Sequence, residues 1–136
     1  MAKTSGKGGC LMIEVKIFKS GKSIEAIEIS GHANYAPGKE DIVCAAVSTL
    51  FQSLVIGLND VLGVKVYTVI EEGYAYIDYY IQDSGLTDSI NTLLNTFRET
   101  VNILSVQYNK HVKLIEMEVQ KNGNKRKHAL ATNTRS

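Results

Sequence analysis

Alternating apolar and polar residues predict five strands along this chain. Residues 12–18 and 24–30 each alternate on either side of Lys19-Ser20-Gly21-Lys22, a turn by composition. A period of two is typical of strands with one buried face, and two such runs around a short glycine-containing loop indicate a hairpin. Residues 64–70 and 74–81 repeat this arrangement around Glu71-Glu72-Gly73. A last strand is predicted over residues 111–119.

Apolar residues at helical spacing predict two helices. The first, residues 41–62, stays uncharged from Ile42 through Asn59 and ends before Gly63. It carries apolar residues on more than one side, so we expect a sheet, and a partner chain as well, to cover it. The second, residues 87–108, has one apolar stripe and one polar face. Such a helix packs on a core and faces solvent on its other side.

The strand at residues 74–81 is rich in tyrosine. Alternation puts Tyr74, Tyr76, Asp78 and Tyr80 on one face of the sheet. A row of tyrosines can bind an extended peptide, but it more often forms a half-exposed sheet face or a dimer surface. The sequence leaves these alternatives open.

The order of these elements, ββαββαβ, predicts an α+β fold. We expect a two-layer sandwich with two helices packed on a small mixed or antiparallel sheet. The predicted domain covers residues 12–119. Residues 1–11 are expected to be a flexible leader or an expression remnant, and residues 120–136 a basic disordered tail.

Charge is unevenly distributed along the chain. Residues 10–118 hold all 14 acidic residues and 8 of the 15 lysines and arginines, which gives this part a net charge of −6. An acidic body attracts a basic substrate over long range, and salt screens that attraction. A generic acidic surface is an equally good interpretation.

One histidine and one cysteine are the candidate catalytic residues. His32 follows the strand that ends at Ser30, and Cys44 lies near the start of the first helix, behind a loop that contains Pro37. With Asp41 as the N-cap, Cys44 would be the third helical residue, where unpaired N–H groups and the helix dipole favour the thiolate. Ser48 lies one turn further along the same helix face. The alternative is that Cys44 is a small buried core residue and Asp41 only a cap.

The motif around these residues resembles the ribosomal-processing cysteine protease family of Gram-positive bacteria and their relatives. The resemblance extends over about residues 12–118, and the residues that carry it are Gly31-His32-Ala33, Gly38 and Asp41-Ile42-Val43-Cys44-Ala45-Ala46-Val47-Ser48. It implies a nucleophile at Cys44, a general base at His32 and supporting roles for Asp41 and Ser48. It also implies that the enzyme removes a short N-terminal extension from a large-subunit ribosomal protein, cutting after an aromatic residue.

Other kinds of partner find little support in the sequence. His32 and Cys44 are too few to hold zinc, and no glycine-rich phosphate loop precedes either helix, so we expect no metal and no cofactor. The basic tail lacks interleaved aromatic residues, which argues against nucleic acid. Two cysteines and the polar start of the chain favour a reduced, cytoplasmic compartment without membrane attachment. The competing function is a dimeric ribosomal-protein-binding or ribosome-assembly factor in which Cys44 is structural.

Overall fold

The computed structural model describes residues 12–31 and 39–119, with side chains in the second range described from Ile42 onward. The elements follow the predicted order ββαββαβ. A π-helical segment, Gly57–Val61, continues the first helix, and a 3₁₀ turn, Ser84–Leu86, precedes the second. The strands and helices are β1 (Ile13–Ser20), β2 (Ser23–Ser30), α1 (Lys39–Ile56), β3 (Lys65–Glu71), β4 (Tyr74–Tyr80), α2 (Thr87–Gln107) and β5 (Val112–Glu118).

The five strands form one mixed sheet in the order β3-β4-β2-β1-β5. Among the strands that the structure describes, the only parallel pair is β1 with β5. Both predicted hairpins are present. In the first, the register shifts between Phe18 and Lys19, which pair with Ala26 and Ile24. The predicted α+β fold with a mixed sheet and two helices is therefore confirmed.

Both helices pack on the same face of the sheet. Their core side chains meet alternate residues of the strands, among them Val15, Ile17 and Ile77. The helical residues fully buried there are Val43, Val47, Phe51, Leu54, Leu58, Ile90, Leu94, Phe97 and Val101. The segment Ile42–Val61 is long and apolar enough to cross a membrane by length and composition alone. A helix at the centre of a two-layer core has the same composition, and α1 packs in that way.

The first helix begins earlier and ends differently from its prediction. It starts at Lys39, so the expectation that Asp41 is its N-cap was wrong. Lys39 and Glu40 are good helix formers, and nothing in them delays the helix until Asp41. After Ile56 the helix widens into the π segment, whose closing bond runs from the N–H of Leu62 to the carbonyl of Gly57 at 3.0 Å. At Gly57 an added Cβ would lie only 3.0 Å from Leu93 of α2, so glycine permits this close approach of the helices.

The opposite face of the sheet, here called the outer face, is more buried than its sequence suggested. Alternation correctly assigned Tyr74, Tyr76, Asp78 and Tyr80 to one face, but only Tyr80 is well exposed. The hydroxyl of Tyr74 donates to Glu28 at 2.8 Å, and that of Tyr76 donates to Asp78 at 2.9 Å. The expectation of a half-exposed tyrosine face is therefore wrong for Tyr74 and Tyr76, which are buried.

Candidate active site

Cys44 lies on the core side of α1. Its exposed fraction is 8%, and it belongs to the same apolar cluster as Val43 and Val47. Because α1 begins at Lys39, Cys44 is its sixth residue rather than its third. The predicted contribution of the helix dipole is therefore weakened, since that effect is confined largely to the first turn. Any activation of this thiol must come mainly from neighbouring groups.

The strand that leads to His32 is fixed by a glycine. Gly31 has φ +90° and its N–H donates to the carbonyl oxygen of Gly73 at 3.0 Å. A Cβ at this position would lie 2.5 Å from the carbonyl oxygen of Met12. Only glycine fits here without movement of the backbone. His32 itself lies outside the described residues, so its pairing with Cys44 stays a prediction.

A pocket opens between α1 and the end of the sheet, and it reaches α1 one helical turn after Cys44, at Ser48. It contains about 490 Å³ of empty space, part of it open to solvent. Its lining residues come from α1 and from three strands, and they are Ile29, Val47, Ser48, Phe51, Gln52, Ile70, Glu71 and Ala75. Most of these side chains are apolar, as is usual for a site that takes an apolar group of a ligand.

The pocket brings together predicted and unpredicted residues. Ser48, the predicted supporting residue, is half-buried and lines the pocket one turn after Cys44. Gln52 and Glu71 were not singled out from the sequence. Gln52 follows Ser48 by four residues, so helix periodicity could have identified it. Glu71 comes from the end of β3, and no local pattern places it near α1.

The remaining predicted residue, Asp41, lies in the first turn of α1 by its backbone. Its side chain is outside the described part of the structure, so its supporting role stays a prediction. Among the side chains that the structure describes, no three His, Cys, Asp or Glu residues are grouped closely enough to hold a metal ion.

Comparison with protein families gives one match. The family model described as "Cysteine protease Prp" matches residues 12–113, which includes the pocket and all four predicted site residues. A search of curated proteins finds no match.

Solved structures with the same fold cover most of the chain. SMU.848 from Streptococcus mutans is 28% identical, with a TM-score of 0.73 over 79% of this chain and 96% of its own. The ribosomal processing protease Prp from S. aureus, solved with a substrate peptide, is 20% identical, with a TM-score of 0.68 over 77% of this chain and 99% of its own. The same protease with a covalently linked product peptide gives a TM-score of 0.65 at 20% identity and the same coverage.

Proposed function

Since the chain belongs to the Prp family and is a cysteine protease, we propose that it removes a short N-terminal extension from a large-subunit ribosomal protein, cutting after an aromatic residue. The S. aureus relative is a ribosomal processing protease that binds a substrate peptide, which supports this choice of substrate. The observation that carries the proposal is the apolar pocket one turn from Cys44. Cys44 is the only cysteine among the residues that the structure describes.

The proposed chemistry uses Cys44 as nucleophile and His32 as general base. His32 takes the thiol proton, and the thiolate attacks the carbonyl carbon of the scissile bond. The unpaired backbone N–H groups in the first turn of α1 stabilise the oxyanion. His32 then protonates the leaving amine as the carbon–nitrogen bond breaks, which leaves a thioester on Cys44. Water hydrolyses the thioester with His32 again as base.

The pocket and the edge of the sheet account for the proposed specificity. Ile29, Phe51 and Ile70 line the pocket with apolar surface, against which an aromatic side chain is well buried. One of these residues, Ile70, belongs to β3, which is an edge strand of the sheet. An extended peptide that pairs with such an edge gains main-chain hydrogen bonds, and its alternate side chains reach the pockets beside it.

The test is cleavage of the host's large-subunit ribosomal protein by the purified enzyme. Cys44→Ala should remain folded and lose at least ~10³-fold in rate, as expected when a nucleophile is removed. Cys10→Ser is the matched control and should cleave normally. Substrates whose aromatic residues are changed to alanine should be cut poorly. Cleavage by Cys44→Ala, or equal cutting of the alanine substrates, would overturn the corresponding part of the proposal.

His32 is tested by the pH dependence of Cys44 alkylation. An imidazolium neighbour stabilises a thiolate, so His32→Ala should shift iodoacetamide reactivity to higher pH and abolish turnover. An unchanged profile would leave His32 without an electrostatic role.

The family match opposes the alternative function, a non-catalytic factor that binds ribosomal proteins or assists ribosome assembly. The burial of Cys44 in the core favours this alternative, because structural cysteines are buried and inert. The two functions differ in one measurement. Cys44 of an enzyme is alkylated by iodoacetamide at neutral pH in the folded state, whereas a structural Cys44 is not.

The proposal also includes a cytoplasmic homodimer. Ile42 and Ile56, which fall on the same side of α1, have exposed fractions of 63% and 52%. Apolar side chains at such positions are buried when two chains pair. The reducing conditions of the cytoplasm would keep Cys44 as a thiol, which the proposed chemistry requires. Sedimentation of wild type and of an Ile42→Ser, Ile56→Ser double variant tests the pairing, and an unchanged monomeric mass in both would contradict it.

A further inference from the structure

The outer face of the sheet has a buried apolar cluster that no helical segment within residues 12–31 and 39–119 covers. Phe18, Ala26, Tyr74 and Tyr76 form this cluster, and their exposed fractions are 0%, 1%, 5% and 2%. Val69, Met117 and Val119 pack around it from the strands and from the end of β5. Both α1 and α2 belong to the other cluster, on the other face.

A single sheet does not bury a large aromatic side chain on its solvent face. Neighbouring strands are about 4.8 Å apart, so side chains on one face touch each other but leave their outer ends in water. Phe18 is nevertheless fully buried, and Tyr76 nearly so. The described strands alone therefore do not account for the burial of this face, and a further segment is needed to cover it.

The C-terminal residues are the segment best located to do so. Val119 packs against the cluster, and its N–H donates to the carbonyl oxygen of Lys19, next to Phe18, at 2.8 Å. The chain therefore leaves the described structure at the end of the strands where Phe18 lies. Residues 1–11 and 32–38 join the sheet at its opposite end, where Ser30 pairs with Glu14 and with Tyr74, so they are far from Phe18 but not from Tyr74.

Length and charge also fit this segment. Residues 120–136 span up to about 56 Å when extended, and the five strands together are only about 20 Å wide. The segment contains five lysines and arginines and no acidic residue, with one short apolar run, Ala129-Leu130-Ala131. The outer face holds two buried carboxylates, Glu28 and Asp78. Lys16 already lies 3.7 Å from Glu28, and further cations near these buried carboxylates would also be favoured.

We propose that residues 120–136 fold back over the outer face as a third layer, with the Ala129–Ala131 run against Phe18 and Tyr76 and the basic residues near Glu28 and Asp78. This replaces the disordered tail expected from composition. It is a feature of this chain rather than of the fold, since the solved relatives match almost their entire length to only 77–79% of it. The outer face is then closed to substrates and partners, which leaves the pocket side for function.

Hydroxyl-radical footprinting with mass spectrometry tests the proposal, with three tyrosines of β4 as reporters. Tyr76 reports the outer face, Tyr79 reports the intact core on the helix side, and Tyr80, 67% exposed, reports open solvent. The proteins compared are the full chain, a chain that ends at Val119, and a chain that lacks residues 1–11. We expect Tyr76 to be protected in the first and third, and oxidised nearly as fast as Tyr80 in the second while Tyr79 stays protected.

Three results would overturn the proposal. They are oxidation of Tyr76 in the full chain, its protection in a folded monomeric chain that ends at Val119, and its exposure only when residues 1–11 are removed. The measurement is made at a concentration where sedimentation shows monomers, so that pairing of uncovered faces does not protect Tyr76.

A single substitution in the full chain decides the question if the shortened chain loses protection of Tyr79 as well. Leu130→Glu places a charge within the apolar run and should raise the oxidation of Tyr76. Asn133→Glu makes the same change in charge at a polar position and should have little effect. Unchanged protection of Tyr76 in Leu130→Glu would overturn the proposal.

Discussion

The N–H of Gly31 donates a hydrogen bond of 3.0 Å to the carbonyl oxygen of Gly73. This bond joins the end of β2 to the turn between β3 and β4. The same turn follows Glu71, which lines the pocket beside α1. The residue immediately before His32 is thereby fixed relative to the pocket, and glycine is required at that point by both φ and space.

Gly31→Ala should therefore destabilise the protein and lower its peptidase activity. The positive φ costs roughly 1–2 kcal/mol for alanine, and the 2.5 Å approach of its Cβ to Met12 adds about 1–3 kcal/mol. Gly63→Ala is the matched control, because Gly63 also has positive φ but no atom within 4 Å of an added Cβ. Urea unfolding gives both stabilities. Equal losses in the two variants would show that the contact with Met12 is unimportant.

The sequence predicted the elements well because their periodicity is local. The apolar stripe of α2 and the alternation of β4 were assigned to the correct faces. The burial of Tyr76 could not be predicted in the same way. Alternation shows which face a side chain lies on, but what covers that face depends on residues far away in the chain.

The candidate site likewise has one part that the local sequence predicts and another part that depends on distant residues. One short motif contains Gly31, Cys44 and Ser48, so the sequence alone singles these residues out. Glu71 and Ile70 reach the pocket only through the pairing of β3 with β4, where Ile70 lies opposite Ala75. The start of α1 was misplaced by two residues, since several residues in a row can begin a helix and the choice depends on the preceding loop.

Narrowing the pocket should weaken substrate binding without affecting the thiol. Gln52 is exposed at the pocket, so Gln52→Trp adds bulk there with little cost to the core. We expect KM to rise about tenfold, as for the loss of a modest apolar contact, with iodoacetamide alkylation of Cys44 unchanged. Ser53→Trp, one residue later and lining a different pocket, should leave KM unchanged. A similar KM increase in both variants would argue against this pocket as the substrate site.

An ion network between the sheet and α2 predicts a pH effect on stability. Glu116 accepts hydrogen bonds from Lys19 at 2.8 Å and from Arg98 at 2.6 Å. The hydrogen bond from Lys19, followed by that from Arg98, holds the pKa of Glu116 below its ordinary value of 4.5. Because the pKa of Glu116 is lower in the folded protein than in the unfolded chain, its ionised carboxylate stabilises the fold. This stabilisation is complete above pH 4.5 and is lost as the pH falls through the folded-state pKa of Glu116.

Glu116→Gln should accordingly cost about 1 kcal/mol at pH 7, since the partners are partly exposed. The difference from wild type should shrink as the pH falls below 4.5. Glu72→Gln, at an exposed turn, is the control and should change little at either pH. The measurement is the free energy of unfolding in urea across this pH range. A wild-type advantage that stayed constant down to pH 3 would contradict the assigned cause.

Because α1 begins at Lys39, Asp41 is not its N-cap. Substitution of Asp41 therefore tests the catalytic proposal without removing a helix cap. Asp41 and Glu40 both occupy first-turn positions of the helix, where a negative charge is expected to stabilise the helix by about 0.3–1 kcal/mol through the helix dipole. Asp41→Asn and Glu40→Gln should therefore lower the melting temperature equally and slightly. If Asp41 also orients His32, only Asp41→Asn should lower kcat, by at least about tenfold. A positioned general base contributes about 10²–10⁴-fold to the rate, and a poorly oriented one loses part of that factor. The comparison needs kcat and the melting temperature of both variants. Equal kcat values would limit Asp41 to its electrostatic effect on the helix and would leave His32 to be oriented by another group.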